Sequence, residues 1–168
     1  LEVMGRNAGW IAAAGGLAGK NPGDAPHVIV FPEHPFEREA FLNKVDQCVK
    51  DHGFCVVVAS EGAQYEDGRF LSEAGQKDAF GHTQLGGVAP SLANMVKQAL
   101  GYKFHWAVAD YLQRSARHIA SAVDVEHAYT VGQKAVEMAL AGKQAVMPII
   151  VREQSSPYRW HIGEAPLS

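Results

Sequence analysis

The chain has 168 residues, of which 47% are hydrophobic and 20% charged, and a formal net charge of −3 at pH 7. That length supports one domain with a proper core. The weak negative charge excludes a general binder of nucleic acid or anionic membranes, and leaves room for a local basic pocket. No apolar run reaches the roughly twenty residues of a membrane span. Glu2 and Arg6 break the apolar opening, so it does not read as a signal peptide.

Leu1 to Met4 reads as the tail of a strand whose beginning is absent, so the chain is expected to be the C-terminal part of a longer protein. Arg6 to Ala18 predicts a close-packed helix whose small face (Ala8, Ala12, Gly15, Gly16) suits near contact with a sheet. His27 to Phe31 predicts a buried parallel strand stopped by Pro32. Phe41, Leu42, Val45 and Val49 have the spacing of a helix within Phe36 to Asp51, closed by Gly53. Phe54 to Ala59 predicts a second buried strand, ending at Ser60-Glu61-Gly62. Tyr65 to Gln84 is polar and glycine-rich and reads as loop. Val88 to Leu100 predicts a helix with Pro90 in its first turn and Gly101 after its end. Phe104 to Leu112 suits a strand, Val125 to Ala141 a helix, and Ala145 to Val151 and Tyr158 to Ile162 two more strands. Cys48 and Cys55 lack CxxC spacing and are expected to be free buried thiols in a reducing cytosol. No internal repeat, linker-like segment or low-complexity tract is present.

Strands alternating with helices imply an α/β fold, a mostly parallel sheet with helices on both faces. Ligands of such sheets bind at the carboxyl ends of the strands. After the first strand comes Met4-Gly5-Arg6, where a helix start and a guanidinium suit an anion such as phosphate, although from the tripeptide alone a surface arginine on an ordinary turn is the favoured reading. After the Phe54 strand comes Glu61, either an acceptor for sugar hydroxyls or a solvated loop carboxylate. After the Phe104 strand comes Tyr111-Leu112-Gln113-Arg114, where Arg114 offers a fork for phosphate and Tyr111 a hydroxyl, or else the charged start of a helix. No GxGxxG, Walker loop or GxSxG is present, and the eight histidines lack ligand spacing such as HExxH. No metal site is expected in this chain.

The stretches EVMGRNAGWIAAAGGLAG, VVVASEGA, GHTQLGGVAPSLANMV and DYLQRSARHIAS, in this order from Leu1 to Arg152, resemble the C-terminal half of a phosphofructokinase. The resemblance implies two similar α/β lobes with the active site between them. Residues 1–168 would be the fructose 6-phosphate-binding part, and the N-terminal donor-binding part would be absent. It implies that Met4, Gly5 and Arg6 contact fructose 6-phosphate, that Glu61 holds a sugar hydroxyl, and that Tyr111, Leu112, Gln113 and Arg114 hold the 6-phosphate. It also implies a charge-stabilising role for Arg6 near the transferred group. Where the family has an arginine that reaches into a neighbouring subunit's site, this chain has His105. Lys103 lies two residues earlier and would share its face if the segment were a strand. Gln113-Arg114-Ser115-Ala116 replaces the usual QRGG and resembles the pyrophosphate-using branch more than the ATP-using one.

The family's general base and its glycine-rich donor loop find no match here, so both are expected in the other half, together with most of the Mg2+ coordination. The implied reaction converts pyrophosphate and fructose 6-phosphate to fructose 1,6-bisphosphate and phosphate. ATP as donor, or a non-catalytic sugar-phosphate-binding lobe, are the alternatives. The fragment alone would be inactive. The resemblance further implies a cytoplasmic homodimer or homotetramer that binds neither nucleic acid nor membrane.

Overall fold

The computed structural model describes residues 1–71, 73–77, 83–85 and 87–167. They form two compact units, Leu1–Ser115 and Ala116–Ser168. The sequence carries no linker signal at that boundary, since Ser115 and Ala116 sit within a run of small and polar residues between short helical turns.

In the first unit three strands form a parallel sheet. They are β1 (Glu2–Val3), β2 (Val28–Val30) and β3 (Val57–Ser60), in the order β1-β3-β2. Glu2 pairs with Ala59, and Val28 with Val57. Residues 107–109 extend the sheet on the free side of β1. The Glu2 amide donates to the Ala107 carbonyl at 2.9 Å, and the Ala109 amide to the Glu2 carbonyl at 2.9 Å. The expected strand over Phe104 to Leu112 is reduced to a single parallel bridge at Val108. The backbone leaves the sheet at Asp110, whose φ of 47° is left-handed, a region Asp tolerates better than most residues.

Alternation along the strands sorts the core into two layers. Val28, Val30, Val57 and Ala59 pack with α2 (Arg38–His52) and α3 (Val88–Leu100) through Phe41, Leu42, Val45 and Leu92. On the opposite face Val3, Ile29 and Val58 pack with Ala12 of α1 (Trp10–Gly15). The small face expected for that helix is what the packing uses. A Cβ on Gly15 would stand 3.2 Å from the Val58 methyl carbons, and one on Gly16 3.3 Å from Ile29 Cδ1. The helix itself is shorter than the Arg6 to Ala18 expected. It begins at Trp10, ends at Gly15 and continues as a 3-10 turn over Gly16–Ala18. The residues before it form a non-helical loop held by contacts to the end of β3 and to Glu33 after β2, described below.

Glu2 is 2% exposed. Its carboxylate accepts the Gly87 amide at 3.1 Å and the Ala89 amide at 2.9 Å, which satisfies the orphan donors that open α3. The loop expected over Tyr65 to Gln84 instead contains an antiparallel pair, β4 (Glu73–Lys77) and β5 (Thr83–Leu85). Its glycines and polar residues hid a strand pair that lacks apolar alternation. Residues 72 and 78–82 of that stretch lie outside the described residues.

The second unit contains α5 (Ala122–Leu140), begun by the Ser121 hydroxyl, which accepts the Asp124 amide. It also contains an antiparallel hairpin of β6 (Val146–Ser155) and β7 (Tyr158–Pro166). The last two strands are therefore not members of a parallel sheet. Only a Ser-Pro pair separates them, and parallel pairing would need a crossover of about a dozen residues. Among the described residues no helix is long and apolar enough to cross a membrane.

Candidate functional site

The carboxyl ends of three neighbouring sheet segments meet at one edge. In order across the sheet these are Asp110 to Arg114 after the Val108 bridge, Met4 to Arg6 after β1, and Glu61 after β3. The three tips expected to act together thus lie side by side.

The middle tip sits in a socket made by its neighbour. The Gly5 amide donates to Glu61 Oε1 at 3.2 Å, and the Gly5 carbonyl accepts from Ser60 Oγ at 2.6 Å. Ser60 is fully buried, and the same oxygen accepts the Gly62 amide at 3.2 Å. Both polar groups of the Gly5 peptide are therefore taken up by Ser60 and Glu61 side chains. Gly5 has φ of 133°, and a Cβ there would stand 2.6 Å from the Ala8 carbonyl oxygen. Gly62 allows the closest approach. A Cβ on it would fall 1.7 Å from the Arg6 carbonyl oxygen, so the Arg6 backbone lies directly on that glycine.

Arg6 is not at a helix start, as the sequence suggests. It stands four residues before α1, in a loop whose far end is also tied down. The Gly9 amide donates to Glu33 Oε1 at 2.6 Å. That amide is an opening donor of α1, so Glu33 occupies a place that an anion would otherwise take. The cationic chemistry of this tip rests on the guanidinium.

Arg114 lies on α4 (Leu112–Ser115), a single turn closed by the Arg114 and Ser115 amides donating to the Tyr111 carbonyl. Its guanidinium carbon stacks over the Tyr111 ring, 5.4 Å from the centroid, a cation–π geometry. Tyr111, Leu112, Gln113 and Arg114 are all exposed.

His105 is not brought to this edge. It precedes the Ala107–Ala109 pairing segment, at the amino ends of the strands. There it lines a cavity of about 560 Å3 with Lys103, Phe41, Phe54 and Trp106. The segment around it is not a strand, so the expected shared face with Lys103 does not form by strand alternation. The GHTQLGG stretch contributes β5 and the α3 start, while Gly81, His82 and Gly86 lie outside the described residues.

Ser60 and Glu33 support the site, and Glu2 the start of α3, and sequence reasoning did not single them out. The signal for two of them was available. Ser60 is a lone hydroxyl ending an apolar strand, and Glu33 follows the β2 strand just as Glu61 follows β3. Glu2 was read only as a break in an apolar run.

One further cluster has metal-ligand chemistry. Ligand atoms of His27, Cys48 and Cys55 lie within 4.8 Å of one another. Both cysteines are free, Cys48 buried and Cys55 half-buried. His27 Nδ1 accepts the Val56 amide at 3.0 Å, so in the neutral ring the proton sits on Nε2, a buried atom without a partner among the described residues. A metal needs a ring lone pair with the other nitrogen donating outward. Here the lone pair is already used. Burial, with the hydrogen bond that the Cys55 thiol donates to Cys48 adding to it, pushes the Cys55 thiol up to about 12. The set does not fit a metal as it stands. With that pKa, the Cys55 thiolate is about one part in ten thousand at pH 8. Cys48 is shielded by its burial, so iodoacetamide at pH 8 is expected to label neither cysteine in the native chain and both after unfolding, read by intact mass.

A family model for phosphofructokinase matches residues 1–139. The chain belongs to the phosphofructokinase family. It is 62% identical over 168 residues to the pyrophosphate–fructose 6-phosphate 1-phosphotransferase of Halomonas elongata, and 61% identical over 168 residues to that of Methylococcus capsulatus. All of the chain is matched in both cases, against 40% of each relative. Among solved structures, the pyrophosphate-dependent phosphofructokinase of Marinobacter aquaeolei superposes with a TM-score of 0.79 and 70% identity, over 99% of this chain and 38% of that one. This phosphofructokinase chain thus spans about 40% of the length of the curated relatives it matches. Its fold is accordingly the parallel sheet with helices on both faces that the motifs implied, with the hairpin added.

Proposed function

We propose that the chain is the C-terminal, sugar-phosphate-binding part of a pyrophosphate-dependent 6-phosphofructokinase. The observation that carries this is the shared carboxyl edge of Met4-Gly5-Arg6, Glu61 and Tyr111 to Arg114. The names of the 62% and 61% identical relatives support the donor.

Arg114 grips the 6-phosphate of fructose 6-phosphate with its planar fork, and the Tyr111 hydroxyl adds a donor. Met4, Leu112 and Gln113 complete the walls of that grip. Glu61 gives one oxygen to Gly5, which leaves the other to accept a sugar hydroxyl. Arg6, fixed by the Gly5 and Gly62 contacts, faces the sugar end that receives phosphate and offsets charge building there. The general base and the pyrophosphate site belong to the part of the protein outside this chain, so these 168 residues alone do not turn over.

Mg2+, when bound, would supply positive charge that offsets the charge developing on the transferred group. It takes hard oxygen ligands, and the one described group of metal-ligating type, His27 with Cys48 and Cys55, is soft. As the family resemblance implies, the ion would be held mainly by the part of the protein outside this chain. His105 lies at the opposite edge from Arg114, which suits a residue presented to a neighbouring subunit of a homodimer or homotetramer in the cytoplasm.

The test is a coupled assay on the full-length protein with fructose 6-phosphate and Mg2+, offering pyrophosphate or ATP. Turnover with pyrophosphate alone is the expected result. Turnover with ATP alone would keep the sugar site and overturn the donor. No turnover with either by folded protein would leave a sugar-phosphate-binding lobe.

A further inference from the structure

We propose that Glu33 is a positioning residue that sets the catalytic reach of Arg6, an inference that rests on the role given to Arg6 above. The loop from Gly5 to Gly9 carries Arg6 between two anchors. The first is the Ser60-Glu61-Gly62 socket, which fixes Gly5 and the Arg6 backbone. The second is Glu33, whose Oε1 takes the Gly9 amide at 2.6 Å.

Glu33 comes from a different strand end, just beyond Pro32 after β2, and its bond spans 24 residues of sequence. The position is tight. A Cβ on Gly9 would meet Glu33 Oε2 at 2.7 Å and Phe31 Cδ1 at 2.6 Å, so the glycine lets the carboxylate close on the loop. A carboxylate–amide bond is charge-assisted and stronger than a neutral one. With Glu33 in place, the loop is held at both ends and the guanidinium starts from a fixed backbone. Without it, the loop keeps its hold at Gly5 and Gly62 but the Gly9 amide loses its carboxylate, so the backbone that carries Arg6 has more conformations to lose before it can act.

The test uses the full-length protein with Glu33→Ala and Glu33→Gln, each in the wild-type and the Arg6→Ala background. Glu33→Ala is expected to lower kcat about tenfold and leave the KM for pyrophosphate unchanged. Glu33→Gln, whose amide oxygen still accepts the Gly9 N–H, is expected to recover most of that loss. In the Arg6→Ala background Glu33→Ala is expected to cost nothing further. The same tenfold loss in both backgrounds would overturn the proposal, because Glu33 would then act without Arg6. Hydrogen exchange of the peptide covering residues 5–10 separates this from failure of the function itself. Faster exchange in Glu33→Ala, but not in Glu33→Gln, is expected whatever the reaction. Unchanged exchange would overturn the tether, and an inactive wild type would overturn the catalytic role.

Discussion

Replacing Arg114 with alanine in the full-length protein is expected to raise the KM for fructose 6-phosphate about 100-fold, since losing a forked, charge-assisted phosphate contact removes close to 3 kcal/mol of binding. The KM for pyrophosphate should stay within about twofold, because the donor lies on the other side of the transferred group. The folded state should hardly notice. Arg114 is exposed, and its described side-chain contact is the Tyr111 ring. A lysine at this position keeps the charge and loses the fork and the stack, so its KM should fall between the two. The stack also separates the two parts of Tyr111. Phenylalanine there retains the ring that carries the guanidinium, whereas leucine removes it. Steady-state kinetics with sugar and donor varied in turn check all of this.

Replacing Gly62 with alanine is expected to be worse for the enzyme as a whole. The new Cβ would lie 1.7 Å from the Arg6 carbonyl oxygen, 2.5 Å from its carbon and 2.9 Å from its Cα. These are backbone atoms, so no side chain can rotate away. The Arg6 loop must move outward, against the Ser60 bond that clamps Gly5 and against the Glu33 bond at Gly9. Both anchors and the fixed start of the Arg6 guanidinium are then lost together. We expect kcat/KM to fall by about 100-fold or more and stability to drop by about 1–3 kcal/mol, the range for overpacking against a rigid neighbour. Gly132→Ala in α5 is the control. A Cβ there meets nothing within 4 Å, and alanine favours the helix, so it should leave activity unchanged and raise the melting temperature slightly. Thermal melts alongside the assay distinguish a displaced loop from general unfolding.

The parts of this molecule legible in its sequence are those governed by local pattern. The helix Val88–Leu100 agrees with its expected bounds at both ends, because Gly101 follows it in a left-handed conformation and its apolar spacing is regular. The α2 helix and the buried strands β2 and β3 were legible for the same reason. What periodicity cannot show is where a polar side chain reaches through space. Glu33 is 24 residues from the Gly9 amide it holds, and Glu2 is 87 residues from the Ala89 amide. The Glu33 bond holds the residue just before α1, and Arg6 stands four residues ahead of the helix; the Glu2 bonds open α3 instead. The antiparallel direction of β6 and β7 was legible in the six residues between their expected bounds, Val151 and Tyr158, which are too few for a parallel crossover. The strand tips were legible because their chemistry is local, and because a parallel sheet brings its carboxyl ends together.

The most direct measurement of the central claim is a crystal structure of the full-length protein with fructose 6-phosphate bound. The account expects the sugar along the edge formed by Gly5, Glu61 and Tyr111, with the 6-phosphate in the Arg114 fork and a ring hydroxyl on Glu61. A sugar phosphate bound anywhere else, with Arg114 still stacked on Tyr111 and Glu61 still bonded to Gly5 alone, would contradict it.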